Sequence, residues 1–410
     1  VARVPGARVL IVGAGPAGAG LALALARRGQ GQLELVEAAP EALGLFRGEG
    51  LMPSGLQALE QLEAWPLPAA VTHRPLSGWG FQLEGRRLFD VAEPFGAGPA
   101  CHLIDQPSLL QHLLTRAEAA GCRLHLGQAV VGLLRDRGRV SGVELADGRR
   151  LAADLVVACD GRSSTLRRLA GIPLEEEAVP LRVLWFRLKG PAAEAIATDL
   201  AGRFTTVIGG GDSWGLFAST RGGLQLGWLE SVTESGAGGA PAPPATPRAW
   251  RERWAAVAPS ALASRLRQLE DGDVEGPLRL TVKVGLAPCW HAPGLLLLGD
   301  AAHPMSPLRA QGLNMALRDA VVAAGCLAPA LAAADAAALD AAAASVTAAR
   351  LPELLAVQAD QRREAARADL LRSQGWLRAL LRALAPWAGP VIAHRWVREQ
   401  DRLRHGLPLP

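Results

Sequence analysis

Residues 8–12 (Arg-Val-Leu-Ile-Val) form a short apolar run that stops at a glycine-rich turn, which predicts a strand buried on both faces. Over 17–28, Leu21, Leu23 and Leu25 stand among alanines and Gly29 follows, predicting a helix with a glycine stop. Residues 32–37 give a second strand, and the spacing of Leu56, Leu59 and Leu62 predicts a helix over 53–64. The pattern then changes. Trp79-Gly-Phe-Gln-Leu and Leu88-Phe-Asp-Val alternate on either side of Glu84-Gly-Arg-Arg, as in a hairpin. A helix over 108–120 and strands near 123–126, 129–135, 139–145 and 154–158 follow.

From about 176 to 284 the periodicity is mostly that of strands. Residues 181–188 alternate, and 214–220 face 224–229 across a glycine-containing turn. Residues 235–247 read as a proline-rich loop, 246–269 as an amphipathic helix and 278–286 as a strand. The four leucines 295–298 make another buried strand. Alanine-rich 316–349 predicts helix with a break near Pro329, and arginine-rich 350–402 predicts helix with a break over 386–390. The fold class implied is α/β. A Rossmann-like nucleotide domain, discontinuous over 1–70, 100–175 and 285–350, is interrupted by a sheet-rich domain of 71–99 and 176–284. C-terminal helices over 351–410 complete the chain as given.

Composition narrows function more than fold. The net charge of +4 is small, and arginine and acid are interspersed without a block of like charge, so no nucleic-acid partner is expected. Cys101, Cys122, Cys159, Cys289 and Cys326 are scattered with no Cys-x-x-Cys pair. That argues against a disulfide framework or a metal site and suits a reducing cytoplasm, the expected location. Residues 9–26 carry no charge, but Gly13, Gly15, Pro16, Gly18 and Gly20 make them a poor signal peptide or membrane span, and membrane contact is not expected. The C-terminal helices alternate arginine with leucine and Trp376, Trp387 and Trp396. They could cap a cleft, form a homodimer or touch an anionic surface, and a plain packed helical pair is the simplest reading.

Gly13-Ala-Gly15-Pro-Ala17-Gly18 lies between the first strand and the first helix. Gly13 permits the tight turn, Gly15 lets the backbone approach a pyrophosphate, and Gly18 lets helix and strand pack closely. Ala17 opens the helix whose positive end faces the phosphates. Glu37 ends the second strand nineteen residues beyond Gly18, where a carboxylate can accept from a ribose. A dinucleotide is implied, but this motif does not separate FAD from NAD.

Two further segments do. Residues 299–319 (Gly-Asp300-Ala-Ala-His303-Pro-Met-Ser-Pro307-Leu-Arg309-Ala-Gln-Gly312-Leu313-Asn314-Met-Ala-Leu-Arg-Asp319) resemble the second flavin motif of the FAD-dependent aromatic hydroxylases, the single-component class A flavoprotein monooxygenases. Residues 158–167, with Asp160-Gly161 and Arg167, resemble that family's Asp-Gly motif. The three motifs keep the family's order and spacing over roughly 7–350. The resemblance implies FAD as cofactor and NAD(P)H as a transient reductant, since there is no second Gly-x-Gly-x-x-Gly. It makes Asp300 a ribityl ligand, and Gly312, Leu313 and Asn314 backbone donors at the start of a helix over 313–325, aimed at the flavin N1–C2=O edge. Pro307 shapes the wall where oxygen reacts. Arg47 reaches FAD from the loop after the second strand, Gln106 contacts it from just before the central helix, and Asp160 lies beside it. Arg167 anchors the Asp-Gly loop by ion pairing. His303 is read as structural.

The chain departs from the family in two ways. Arg309 stands where many members have glycine, so its side chain must point to solvent, enter the substrate cleft or stack near the flavin. With Pro307 it is assigned to the reacting side of the site. The sequence also has no tyrosine, so any substrate base is His, Asp or Glu. Trp185, Phe186, Trp214, Phe217 and Trp228 lie in the sheet-rich segment; alternation sends about half to the core, and at least one of Trp185, Trp214 or Trp228 is expected at the substrate. No triad, paired-carboxylate site or metal site is evident. The function implied is NAD(P)H- and O2-dependent hydroxylation or epoxidation of an apolar or aromatic small molecule. Two alternatives keep the fold: a flavin-dependent reductase or dehydrogenase of a lipid-like or polyene substrate, and a non-catalytic flavin-binding partner protein.

Overall fold

The computed structural model describes residues 6–29, 31–40, 49–96, 98–177, 181–231 and 243–409. The first apolar run becomes strand Arg8–Val12 within a six-stranded sheet. Leu155–Ala158 and Gln32–Glu37 flank it in parallel, Leu295–Leu297 lies beyond the first and Arg123–Leu126 beyond the second. Val9 to Val12 are apolar without alternation because both faces are covered. Val9 and Ile11 meet the helices Pro16–Arg27, Gln106–Ala119 and Gln311–Ala333. Leu10 and Val12 meet Val140, Val143 and Leu145 of a three-stranded antiparallel sheet. The helical stretch Leu308–Ala333 is long and apolar enough to cross a membrane, but 72% of its apolar window is buried inside the protein. It is a core helix, and Gly20 lets it pack closely: a Cβ there would stand 3.0 Å from Ala320 Cβ.

A seven-stranded sheet runs in the order Val274–Thr281, Leu181–Leu188, Leu224–Ser231, Asp212–Ala218, Arg203–Gly209, Gly78–Leu83, Arg86–Ala92. Alternation divides its side chains. Leu184, Phe186, Leu216, Leu226 and Trp228 point to the helices Gly190–Leu200, Pro247–Val257 and Ser260–Gln268. Trp185, Phe204, Phe217, Trp79 and Phe81 take the opposite face.

The structure corrects several expected boundaries. The helix over 246–269 is two helices, because Ala258 ahead of Pro259 is held extended (φ −81, ψ 156). Residues 190–200, expected in a strand-rich region, form a helix led by Gly190-Pro191; proline in a first turn forfeits no hydrogen bond. The strand over 278–286 is also two, Val274–Thr281 pairing with Leu181–Leu188 and Val284–Leu286 with Glu175–Glu177. Conversely, Pro329, Pro352, Pro386 and Pro390 lie inside helices. The breaks fall at Ala334 (φ 50), where Asp335 caps helix Ala336–Ser373 through Ala338 N (2.8 Å), and at Gln374 before helix Gly375–Glu399. Burial of neighbours such as Ala328, Leu331, Ala385 and Gly389 offsets a proline cost of about 3 kcal/mol.

Candidate active site

Collisions that only glycine avoids shape the turn after Arg8–Val12. Gly13 has φ 106, and a Cβ there would lie 2.3 Å from Cys159 O; a Cβ at Gly18 would lie 1.9 Å from Gly13 O. Gly15 is different. Nothing stands within 4 Å of its would-be Cβ, and the residue lines a cavity. Gly13 and Gly18 thus serve packing, whereas Gly15 leaves space for a ligand. The Glu37 carboxylate holds the turn by accepting from Ala14 N (2.7 Å) and Ala39 N (2.9 Å), and each oxygen can take another donor.

The cavity has a volume of about 1050 Å³ and extends from this turn to the seven-stranded sheet. Ala17, Gln106, Gly161, Asp300, Gly312 and Leu313 converge on it from distant parts of the sequence. Helix Gln311–Ala333 begins two residues earlier than expected, after Ala310 (φ 49), so Gln311, Gly312 and Leu313 supply the free N–H groups of its positive end. Asp300 Oδ1 is 3.9 Å from where a Gly312 Cβ would be, which puts a carboxylate and a helix end on one edge of the cavity. Asn314 has another job. Fully buried, it accepts from Met52 N (2.8 Å) and donates to Ala310 O (2.6 Å), bracing the helix start against segment 50–52. Its place in the first full turn puts its own N–H inside the helix ladder.

Gln106 opens its helix, lines the cavity and has no side-chain partner among the described residues. The neighbours that set it apart in sequence belong to the cap: Asp105 accepts from Ser108 N (3.1 Å), and Pro107 sits where no N–H is needed. Arg47 lies outside the described residues. Asp160 accepts from Ser164 Oγ (2.5 Å) and Leu166 N (3.0 Å), while Gly161 and Arg162 beside it face the cavity. Arg167 anchors this loop by donating to Ala301 O (2.8 Å) and, among the described residues, makes no ion pair of the kind expected; Ser164 and Leu166 already engage Asp160. His303 is structural, as read from the sequence. Its Nε2 is 2.6 Å from Asp319 Oδ2, and Asp319 also accepts from Gly299 N (3.0 Å) and Arg350 Nε (2.7 Å). Burial pushes the Asp319 carboxyl up, but His303 and Arg350 outweigh it and hold the group well below the usual range.

Pro307 and Arg309 line the cavity farther in. Arg309 keeps φ 59, the left-handed conformation a glycine would adopt freely, and Ala310 follows at φ 49. These conformations cost about 1–2 kcal/mol each. Of the three directions open to it, the Arg309 side chain takes the cleft. Its guanidinium carbon lies 4.8 Å from the Trp396 ring centroid, 5.6 Å from Trp79 and 5.7 Å from Phe81, and Nη2 is 3.2 Å from Glu364. Trp185 turns to the cavity, whereas Trp214, though it reaches the lining, and its cross-strand partner Trp228 belong to the core on the far side of the sheet, where Trp228 packs on Trp250 at 5.2 Å.

One group escaped the sequence reading, and another was only one of several alternatives there. The C-terminal helices form a wall, with Glu364 and Arg367 from Ala336–Ser373 and Ile392 and Trp396 from Gly375–Glu399. Nothing in their periodicity indicates which side meets the cavity. The group that was missed is Glu49, buried at 6% exposure. Its carboxylate accepts from Ser219 Oγ (2.9 Å), Thr220 N (3.0 Å) and Gln225 Nε2. Burial pushes its carboxyl above the usual range against the pull of Thr220 and Ser219, and nearby Asp105 adds to the rise. Among the described residues the lining carboxylates are Glu49, Asp300, Glu364 and Glu399, and no histidine lines the cavity.

Open space at Gly15, a helix end with free N–H groups beside Asp300, and a cavity that continues past them fit the pyrophosphate, ribityl chain and ring of FAD. A flavoprotein is thereby defined. The family described as FAD binding domain matches residues 6–351. The 6-methylpretetramide 4-monooxygenase of Streptomyces rimosus is 34% identical over 339 residues, 77% of this chain and 73% of that protein. PqsL of P. aeruginosa, solved in complex with 2-aminobenzoylacetate, superposes with TM-score 0.74 at 23% identity, covering 90% of this chain and 98% of that one. A Klebsiella pneumoniae HpxO variant complexed with FAD gives TM-score 0.72 at 20% identity, covering 98% and 99%. This chain belongs to the FAD-dependent monooxygenases that share this FAD binding domain.

Proposed function

We propose that this enzyme hydroxylates a flat, multi-ring aromatic substrate at the expense of NAD(P)H. The observation that carries the reading is the aromatic wall opposite the flavin-binding edge: Trp79, Phe81, Trp185, Phe204, Phe217 and Trp396 border one cavity. Such rings stack on a flat ligand and exclude water. The substrate named for the 34% identical relative, 6-methylpretetramide, suits the same wall.

FAD, when bound, supplies the oxygen activation and transfer. Gly15, Asp300, Gly312 and Leu313 would hold it, and Gln106 offers it an unpartnered amide. Glu37 fixes the turn that meets its ribose side, and Asp160 keeps Gly161 in place. The positive end of Gln311–Ala333 favours negative charge at the ring edge beside it. Pro307 and Arg309 bound the space between ring and substrate. Glu49 is placed to take the proton of a substrate hydroxyl, a task that no tyrosine in this chain can perform.

The test follows NADPH and NADH oxidation by the FAD-loaded protein with hydroxylated anthraquinones and tetracenes, against single-ring phenols. Multi-ring phenols should accelerate oxidation and emerge carrying one oxygen atom from labelled dioxygen. Turnover that proceeds under argon with another acceptor, or product without the label, would overturn the reading.

A further inference from the structure

Strand Leu224–Ser231 sends Leu224, Leu226 and Trp228 to the helices, so alternation turns Gln225 and Gly227 to the cavity side of the sheet. Gly227 leaves room for a ring: a Cβ there would stand 3.0 Å from Trp185 Cζ3. The Trp185 indole lies across this glycine, and its Nε1 donates to Gln225 Oε1 (2.6 Å). Phe217 meets the same indole edge-on at 6.3 Å. Gln225 itself is buried, behind the lining residues Trp185 and Glu49.

The other half of the same amide reaches Glu49. Gln225 Nε2 donates to Glu49 Oε1, which also accepts from Ser219 Oγ (2.9 Å), while Oε2 accepts from Thr220 N (3.0 Å). The partners fix which way the amide points, since an indole N–H can only donate and an ionised carboxylate can only accept. Asp105 and Arg221 are the charged groups that act on Glu49 from the neighbouring helix cap and turn, and they are paired with each other. A single buried side chain thus bridges a ring of the aromatic wall and the carboxylate beside it.

We propose that Gln225 is a positioning residue for the reaction, whose one amide holds the Trp185 indole against the substrate's rings and fixes the Glu49 carboxylate for the substrate's proton. The role given to the proton rests on the proposed function; the tie between Trp185 and Glu49 does not. Glutamine meets both demands at once, because one planar group presents an acceptor to the indole and a donor to the carboxylate. Methionine has similar length and offers neither an amide acceptor nor a donor. Glutamate keeps an acceptor for the indole but sets a second carboxyl beside Glu49. A donor to an ionised carboxylate favours that form, so losing it raises the pH at which Glu49 ionises, and a neighbouring carboxylate acts in the same direction.

The infrared band of the protonated Glu49 carboxyl, identified by its loss in Glu49→Gln, is followed against pH in the FAD-loaded full chain without substrate. Gln225→Met should move its titration up by about one pH unit, the equivalent of one hydrogen bond to a charged group. Equilibrium dialysis with a dihydroxyanthraquinone reads the other partner. Gln225→Met should weaken its binding about tenfold by releasing the indole. Gln225→Glu should restore that binding, with the pH limb of kcat/KM still displaced upward, a split that a merely structural glutamine would not produce. The proposal is overturned if the Glu49 titration in Gln225→Met stays at its original pH, or if Gln225→Glu binds the anthraquinone as weakly as Gln225→Met. Should the unsubstituted protein not bind the anthraquinone, the proposed function falls, and the infrared shift alone upholds or overturns the tie.

Discussion

At the scale of single residues, the three glycines of the N-terminal turn separate two roles that a motif merges. Gly18 is glycine because a methyl group would strike Gly13 O, whereas Gly15 stands before open space, where we assign the FAD pyrophosphate. Gly18→Ala should therefore destabilise the whole protein by about 3 kcal/mol. Gly15→Val, at an extended helix cap, should cost at most about 1 kcal/mol in the FAD-free protein. Yet it should leave purified protein nearly colourless. Thermal melts of both variants alongside bound-FAD spectra check this, and a yellow Gly15→Val protein would refute the assignment. Arg309 teaches a related lesson. A left-handed conformation that glycine adopts freely is held at φ 59 by an arginine, because the surrounding backbone dictates it and the side chain finds aromatic partners.

At the scale of elements, most strands and helices could be anticipated from periodicity, because each buries one defined face. Proline was the poorest guide, since a packed helix tolerates what an isolated helix would not. The small sheet of Gly50–Leu51, His102–Ile104 and His73–Pro75 was not anticipated; it is too short to show a period. Within it His102 Nδ1 lies 3.2 Å from His73 Nδ1, and both rings rest on Trp65 at 5.2 and 5.3 Å. Burial, and then His73, depress the His102 pKa from 6.5 to about 4. The folded state thus prefers neutral His102. Its contribution to stability is complete above pH 6.5 and is lost as pH falls through about 4. Urea midpoints measured between pH 7 and about 4 should fall less steeply for His102→Gln than for the unsubstituted protein. Equal slopes would show that this pair does not set acid stability.

At the scale of the whole molecule, the site exists only where the two sheets face one another. Glu49 shows this best, since it belongs to the segment beside the core helix while its partners Ser219 and Thr220 lie in a turn between two strands of the seven-stranded sheet and Gln225 in one of those strands. The Arg221–Asp105 pair lies alongside and joins the same two parts. With its carboxyl raised by burial, Glu49 gains proton affinity at the junction of flavin edge and aromatic wall. Glu49→Gln should keep FAD and lower kcat/KM for a phenolic substrate by about 10²–10⁴-fold. It should also remove the limb of the pH profile in which the rate climbs as this acid ionises. An intact limb in Glu49→Gln would assign the proton to another group.

The sequence by itself determined the cofactor edge, since a turn, a helix end and an acid at a strand terminus are local features that leave local marks. Gly13, Gly15, Gly18 and Asp300 were legible in that way as candidates, and the core helix starts two residues before its expected position. The tertiary structure alone decided which carboxylate faces the substrate, which tryptophans line the cavity and which side of the last long helix meets solvent. Those outcomes depend on pairing between segments as distant as residues 49 and 225, or 309 and 396, and a linear pattern holds no record of that pairing.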